Sequence, residues 1–126
     1  MNTEQQVATH YTHWSLLQAI LSALKQMGKD PERFTAIDLS TGDEFHLGGL
    51  PATTALAKDL GLAPGMQVLD VGCGIGGPAR YFAEAHKCRV TGIDLTEEFV
   101  QTATELTRRC GLSDRVTFRH LSLIHI

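Results

Sequence analysis

A carboxylate placed just before a glycine-rich loop is the feature of this sequence with the clearest chemical meaning. Asp70 lies within the apolar run at residues 68–71, and four of the next six residues, 72–77, are glycines. Pro78 then suits the first turn of a helix. A strand that passes through a glycine turn into a helix N-terminus brings backbone N–H groups up to a nucleotide-like ligand. The sequence therefore predicts a ligand site between a strand and a helix.

Two kinds of ligand suit this loop. Gly72, Gly74 and Gly77 fit the G-x-G-x-x-G pattern of dinucleotide sites, in which a pyrophosphate lies on the helix N-terminus. The charge of Asp70 would oppose a pyrophosphate, whereas it would attract the ammonium of a cofactor with an amino-acid end, directly or through water. S-adenosylmethionine is such a cofactor, since it has an ammonium and a sulfonium and no phosphate. A turn that only packs a helix on a strand is the purely structural alternative.

A second acid follows at a distance that suits a ribose contact. Residues 89–95 are rich in β-branched side chains and predict a strand, in which Asp94 lies 17 residues after Gly77. An acid about 20 residues beyond a glycine loop can accept hydrogen bonds from both ribose hydroxyls. Alternatively, Asp94 is only a strand-end residue ahead of the next helix, which Thr96 is expected to cap.

These residues resemble motif I of the class I S-adenosylmethionine-dependent methyltransferases, in which an acid precedes a G-x-G-x-G. Residues 45–83, and residues 75–80 above all, are similar to the small-molecule branch with ubiquinone-type C-methyltransferases, sterol methyltransferases and glycine-betaine-pathway N-methyltransferases. The resemblance implies a Rossmann-like α/β fold, S-adenosyl-L-methionine as cofactor and a small-molecule methyl acceptor. It places Asp94 on the ribose and Leu95 beside the adenine. The implied cofactor-binding residues are Asp70, Gly72, Cys73, Gly74, Gly76, Gly77, Asp94 and Leu95.

Two other functions stay open at this point. The chain could be an NAD(P)-binding oxidoreductase domain, or a non-catalytic module that keeps the cofactor pocket for regulation or partner binding. The resemblance names no catalytic base, because acceptor-pocket residues in this fold come from later strands and from a lid.

Composition narrows the class of protein. The net charge of −3 and the pI near 6.0 leave no basic surface that would indicate a nucleic-acid or membrane partner. No apolar run is long enough for a transmembrane helix, and no signal segment is recognised, so a cytoplasmic protein is expected. Cys73, Cys88 and Cys110 lack C-x-x-C spacing and are expected to be buried or incidental thiols. The six histidines lack ligand spacing, and no metal site is predicted.

Periodicity predicts how these residues are held. From residue 66 the pattern is β-α-β-α-β, half of a Rossmann-type unit. Residues 1–62 are expected to form a helical extension that folds over the cofactor as a lid, in which Tyr11 and His46 could touch cofactor or substrate. Within it, helical spacing at residues 14–27 includes Leu17, Ile20, Leu21, Leu24 and Met27. A shorter turn or helix is expected from Asp30, a loop at 41–44 and a helix at 51–60.

The C-terminal part of the sequence is expected to be truncated. Residues 63–120 are expected to form a partial cofactor-binding domain, truncated after the third strand. Residues 121–126 resemble the in-frame translation of a sequencing-transposon adapter and are expected to be non-native. The chain is therefore expected to be an N-terminal fragment that is inactive by itself, with its third strand, Val116 to His120, as an unprotected edge.

Overall fold

The computed structural model of the chain describes residues 16–42 and 49–121. Within these ranges the helices and strands alternate from the first strand onward, as the sequence predicts. The elements in chain order are α1 (residues 16–26), α2 (Ala36–Gly42), α3 (Gly49–Leu60), β1 (Gln67–Val71), α4 (Gly77–His86), β2 (Arg89–Asp94), α5 (Glu97–Arg109) and β3 (Val116–His120).

The three strands form one parallel sheet in the order β1-β2-β3. The register places Asp70 beside Gly92 and Asp94 beside His120. Parallel strands joined through helices bring their carboxyl ends to one edge of the sheet. The loop after β1 and the ends of β2 and β3 therefore meet at the carboxyl end of the sheet, where a ligand site is expected in open α/β sheets.

The main core lies between α4 and the sheet. Ala79, Phe82 and Ala83 form the buried face of α4 and pack with Val90 of β2 and Val116 of β3. This burial fixes the helix that begins at the end of the glycine loop, and so it fixes one end of the loop.

A second apolar cluster joins the N-terminal helices to α5. It contains the four predicted core positions of α1 together with residues of α2, α5 and the segment before α2: Leu17, Ile20, Leu21, Leu24, Phe34, Leu39 and Leu106. Met27, predicted to share this face, is 41% exposed because α1 ends at residue 26 and Gly28 turns the chain with a φ of +79°. Ile75 of the glycine loop packs against the same cluster.

Local hydrogen bonds explain where α2 begins. The sequence predicts a helix or turn from Asp30, but α2 starts at Ala36 because Thr35 and Asp38 cap it reciprocally. The Thr35 N–H donates to Asp38 Oδ2 at 3.0 Å, and the Asp38 N–H donates to Thr35 Oγ1 at 3.1 Å. The loop expected at residues 41–44 is wrong at its start, since α2 runs to Gly42. The helix predicted at residues 51–60 is confirmed as α3.

The sheet has two edge strands, β1 and the expected β3. β3 lies at an edge, but Val116 is buried in the main core and Phe118 is partly buried against it. The exposed apolar side chains belong to β1 instead, where Leu69 is 61% and Val71 56% exposed. Among the described residues, no helix is long and apolar enough to cross a membrane.

Candidate cofactor site

The loop between β1 and α4 has a backbone shape that requires glycine. Gly72, Gly74 and Gly76 have φ values of +72°, +57° and +86°, in the left-handed region that disfavours other residues. Gly77 follows as the first residue of α4. Three of the four loop glycines are therefore explained by conformation alone.

Hydrogen bonds attach this loop to the end of β2. The N–H groups of Gly72 and Cys73 both donate to the carbonyl of Ile93, at 2.8 and 3.0 Å. The Gly74 N–H donates to Oδ2 of Asp94 at 2.8 Å. The two halves of the predicted motif, which are separate in sequence, are thus directly bonded.

Asp94 holds both the loop and the start of α5. Its Oδ1 accepts a 2.9 Å hydrogen bond from the Thr96 N–H, while its Oδ2 accepts from Gly74. Thr96 is the N-cap of α5, as expected, but its hydroxyl makes no capping bond. The two sequence-based interpretations of Asp94 therefore do not exclude each other, because a strand-end residue ahead of a helix also faces the loop.

Asp70 contributes a second carboxylate at the same carboxyl end of the sheet. Burial, and then the charge of Asp94, raise the pKa of the Asp70 carboxyl. Two carboxylates that interact in this way make a site that disfavours an anion and favours a cationic group. This electrostatic character agrees with the sequence argument against a pyrophosphate.

A surface cavity of about 280 Å³ opens beside the loop and the ends of β1 and β2. Leu95 lies at its wall and is 66% exposed, and its carbonyl is 2.9 Å from Nε2 of His120. The residues that line the cavity are Val71, Gly72, Ile93, Asp94, Leu95, Thr96 and Leu121.

The loop glycines face two different environments. A Cβ placed on Gly72 or Gly74 would meet nothing within 4 Å, whereas one on Gly76 would overlap the ring of Phe118 and lie 3.0 Å from Nη1 of Arg80. Gly72 and Gly74 thus border open space, and Gly76 is packed into the protein. Sequence reasoning groups them because the pattern carries no information about what each glycine faces.

The side chain of Cys73 packs between the glycine loop and Gly92 of β2. Its side chain is buried, and a Cβ on Gly92 of β2 would lie 2.9 Å from its Sγ and 2.6 Å from Cδ1 of Phe118. Burial, with the charges of Asp70 and Asp94, raises the pKa of this thiol to about 12. Gly92 and Phe118 are not recognisable from the sequence, where a strand glycine could indicate close backbone approach but not its partner.

Tyr11 and His46 lie outside the described residues, as does the adapter-like stretch after Leu121. Within the described part of the chain, no group of three or more His, Cys, Asp or Glu side chains could hold a metal ion.

Comparison with known proteins agrees with this geometry. Residues 68–126 match a family model described as a methyltransferase domain. A sterol 24-C-methyltransferase of Gibberella zeae is 46% identical over 63 residues, which are 50% of this chain and 17% of that protein. Phosphoethanolamine N-methyltransferase 1 of Arabidopsis thaliana is 46% identical over 71 residues, 56% of this chain and 14% of that protein. The matched region is therefore less than a fifth of either relative.

A solved structure extends the agreement to the fold. A SAM-dependent methyltransferase from Geobacter sulfurreducens, crystallised with S-adenosyl-L-homocysteine, superposes with a TM-score of 0.54 at 38% identity. The alignment covers 57% of this chain and 29% of that chain. The predicted Rossmann-like fold is confirmed: residues 68–126 are similar to the methyltransferase-domain family, and the chain has the architecture of class I S-adenosylmethionine-dependent methyltransferases.

Proposed function

We propose that this chain carries the S-adenosyl-L-methionine-binding half of a methyltransferase that acts on a small molecule. The observation that carries the proposal is the hydrogen bond from the Gly74 N–H to Asp94, which joins a glycine loop and a strand-end acid around one cavity. The family match and the S-adenosyl-L-homocysteine bound by the Geobacter sulfurreducens protein support it.

The residues of the site fit this cofactor. An ionised carboxylate has about four lone-pair positions, and Asp94 uses two for the N–H groups of Gly74 and Thr96. Two acceptor positions therefore remain for the ribose hydroxyls. Asp70 offers a charge for the ammonium, and the exposed Leu95 offers an apolar surface for the adenine.

The chain's own contribution to the reaction is to bind and orient. When bound, S-adenosyl-L-methionine supplies a methyl group that its sulfonium activates for transfer. Asp94 would hold the nucleoside, and Asp70 together with the glycine loop would hold the amino-acid end. Fixing one reactant in this way reduces the entropy cost of the encounter with the acceptor.

The proposed acceptor is a small molecule. The two curated relatives are named for methylation of a sterol carbon and of phosphoethanolamine nitrogen, both small molecules. The net charge of −3 supports this class over a nucleic acid. The acceptor atom is left open, because the relatives differ in it.

The proposed location of the protein is the cytoplasm. Its three free cysteines support a reducing compartment of this kind.

The described part of the N-terminal region is proposed to support the site. The described residues 16–42 pack on α5 and on Ile75 rather than over the cavity. The other residues of the expected extension, 1–15 and 43–48, lie outside the described residues.

Calorimetry with the full-length protein tests the function directly. We expect S-adenosyl-L-homocysteine to bind and NADH not to bind, because the acid pair opposes a pyrophosphate. Binding of NADH alone would support the oxidoreductase alternative and contradict the proposal. Binding of S-adenosyl-L-homocysteine without methylation of any acceptor in a panel of sterols, amines and phenols would favour the non-catalytic module.

A further inference from the structure

Arg80 is a charged side chain buried beneath the glycine loop, only 1% exposed. Its Nη1 donates a short hydrogen bond of 2.6 Å to the carbonyl of Ile75. The same nitrogen reaches α5 through longer contacts of 3.4 Å to the Ala103 carbonyl and to Thr107 Oγ1. One guanidinium nitrogen therefore connects the loop to the helix that follows β2.

Ile75 is held at both its backbone and its side chain. Arg80 binds its carbonyl, and its side chain packs against the cluster that joins α1, α2 and α5. Its neighbours Gly74 and Gly76 both have left-handed backbones, with φ of +57° and +86°. Glycine gives a loop many accessible conformations, so a loop of this kind needs an external restraint to keep one of them.

Stability alone does not account for an arginine at this position. Burying a guanidinium carries a large desolvation cost, and well-packed apolar side chains commonly replace buried charges without loss of stability. A donor that reaches a particular loop carbonyl has a geometric use that an apolar side chain cannot supply.

We propose that Arg80 is a positioning residue for the cofactor loop, an inference that rests on the proposed function. By fixing the Ile75 carbonyl, it keeps the loop in the conformation that bonds Gly74 to Asp94. This conformation also leaves the space beside Gly72 and Gly74 open for the ligand.

Two substitutions in the full-length protein distinguish the effect of the Arg80 charge from that of the position of its hydrogen-bond donor. Arg80→Lys keeps the positive charge, but its ammonium ends one bond short of the position of Nη1. Arg80→Met keeps much of the apolar stem of the side chain and removes the donor. Leu112→Ala is the matched control, because Leu112 is buried in the main core and takes no part in the loop.

Hydrogen exchange is the first measurement, and it needs no ligand. In Arg80→Lys we expect the Gly74 and Gly76 amides, which donate to Asp94 and to the Cys73 carbonyl, to exchange at least tenfold faster. The Val90 amide of β2, bonded to the Arg115 carbonyl, should stay within twofold of the wild-type rate. In Leu112→Ala, the exchange rates of the Gly74 and Gly76 amides relative to that of the Val90 amide should be the same as in the wild type.

Ligand affinity is the second measurement. The loop is expected to face the amino-acid end of the cofactor, so Arg80→Lys should raise the Kd of S-adenosyl-L-homocysteine at least fivefold more than that of methylthioadenosine, which lacks that end. Arg80→Met should act in the same direction, and Arg80→Lys carries the test if the methionine variant does not fold.

Equal losses for the two nucleosides, or unchanged exchange at Gly74 and Gly76, would overturn the inference and leave Arg80 a structural residue only. Failure of the wild-type protein to bind S-adenosyl-L-homocysteine would instead contradict the proposed function. The exchange measurement would then still decide whether Arg80 holds the loop.

Discussion

The Gly74 N–H and the Asp94 carboxylate are joined by a 2.8 Å hydrogen bond, across a sequence separation of 20 residues. The donor belongs to a glycine-rich loop, and the acceptor belongs to the end of the central strand. The position of the loop is therefore set by the sheet as well as by the loop's own sequence. The affinity of a ligand that binds Asp94 therefore also depends on where the loop lies.

Asp94→Ala is expected to weaken cofactor binding and also to lower stability. Charge-assisted hydrogen bonds to a ribose are worth roughly 1.5–3 kcal/mol each, so the loss of affinity for S-adenosyl-L-homocysteine should be tenfold or more. Stability falls because the Gly74 and Thr96 N–H groups lose their acceptor. Asp30→Ala is the control, since Asp30 accepts a comparable turn bond from the Glu32 N–H at 2.9 Å. Unchanged affinity in Asp94→Ala, measured by calorimetry, would contradict the ribose assignment.

Asp70→Asn is expected to stabilise the protein and to weaken cofactor binding. Because burial and Asp94 raise the pKa of Asp70 in the folded state, its contribution to stability is present below the ordinary pKa of 3.8 and is lost as the pH rises through the folded value. The ionised carboxylate thus opposes folding at neutral pH. Melting curves from pH 4 to pH 8 should show a higher Tm for Asp70→Asn at neutral pH, with a gain that shrinks on acidification. A gain that is independent of pH would contradict this cause.

A pair of glycine substitutions separates ligand contact from backbone strain. Gly72 and Gly111 have almost equal φ values, +72° and +71°, and a Cβ added at either position would meet no atom within 4 Å. Alanine should therefore cost about 1–2 kcal/mol of stability at either site. Only Gly72→Ala should also weaken S-adenosyl-L-homocysteine binding, because only Gly72 borders the cavity. Equal affinities for the two variants would show that the ligand does not approach Gly72.

The sequence is sufficient to predict the elements from β1 onward and the glycine loop, but not the support beneath the loop. The β-α-β-α-β order and the glycine turn follow from local signals: apolar periodicity, Pro78 and the clustered glycines. The placement of Phe118 over Gly76 and Gly92 depends instead on which strands pair and in what register. The burial of Arg80 depends on how α5 lies against α4, and no local pattern encodes either relationship.

The three thiols are expected to resist alkylation in the native protein. The pKa values of Cys73 and Cys110 are raised to about 12, chiefly by burial, and burial also raises the pKa of Cys88. At pH 8 only about one in ten thousand of the thiols with a pKa near 12 is the reactive thiolate. Mass spectrometry after iodoacetamide treatment should find all three cysteines modified only when the protein is denatured first. Rapid native alkylation of Cys73 would show that the glycine loop opens.

The exposed edge at β1 is expected to make the 126-residue chain associate when it is expressed alone. Leu69 is 61% exposed, and in doubly wound sheets a further strand pairs with the first one. An unpaired apolar edge is a template for contact with another chain. Leu69→Lys should therefore reduce association, measured by light scattering, because a charge on an edge strand opposes such pairing. Thr117→Lys, at an exposed position of β3, is the control and should have a smaller effect. A chain that stays monomeric at high concentration without either substitution would show that β1 is not the surface through which it associates.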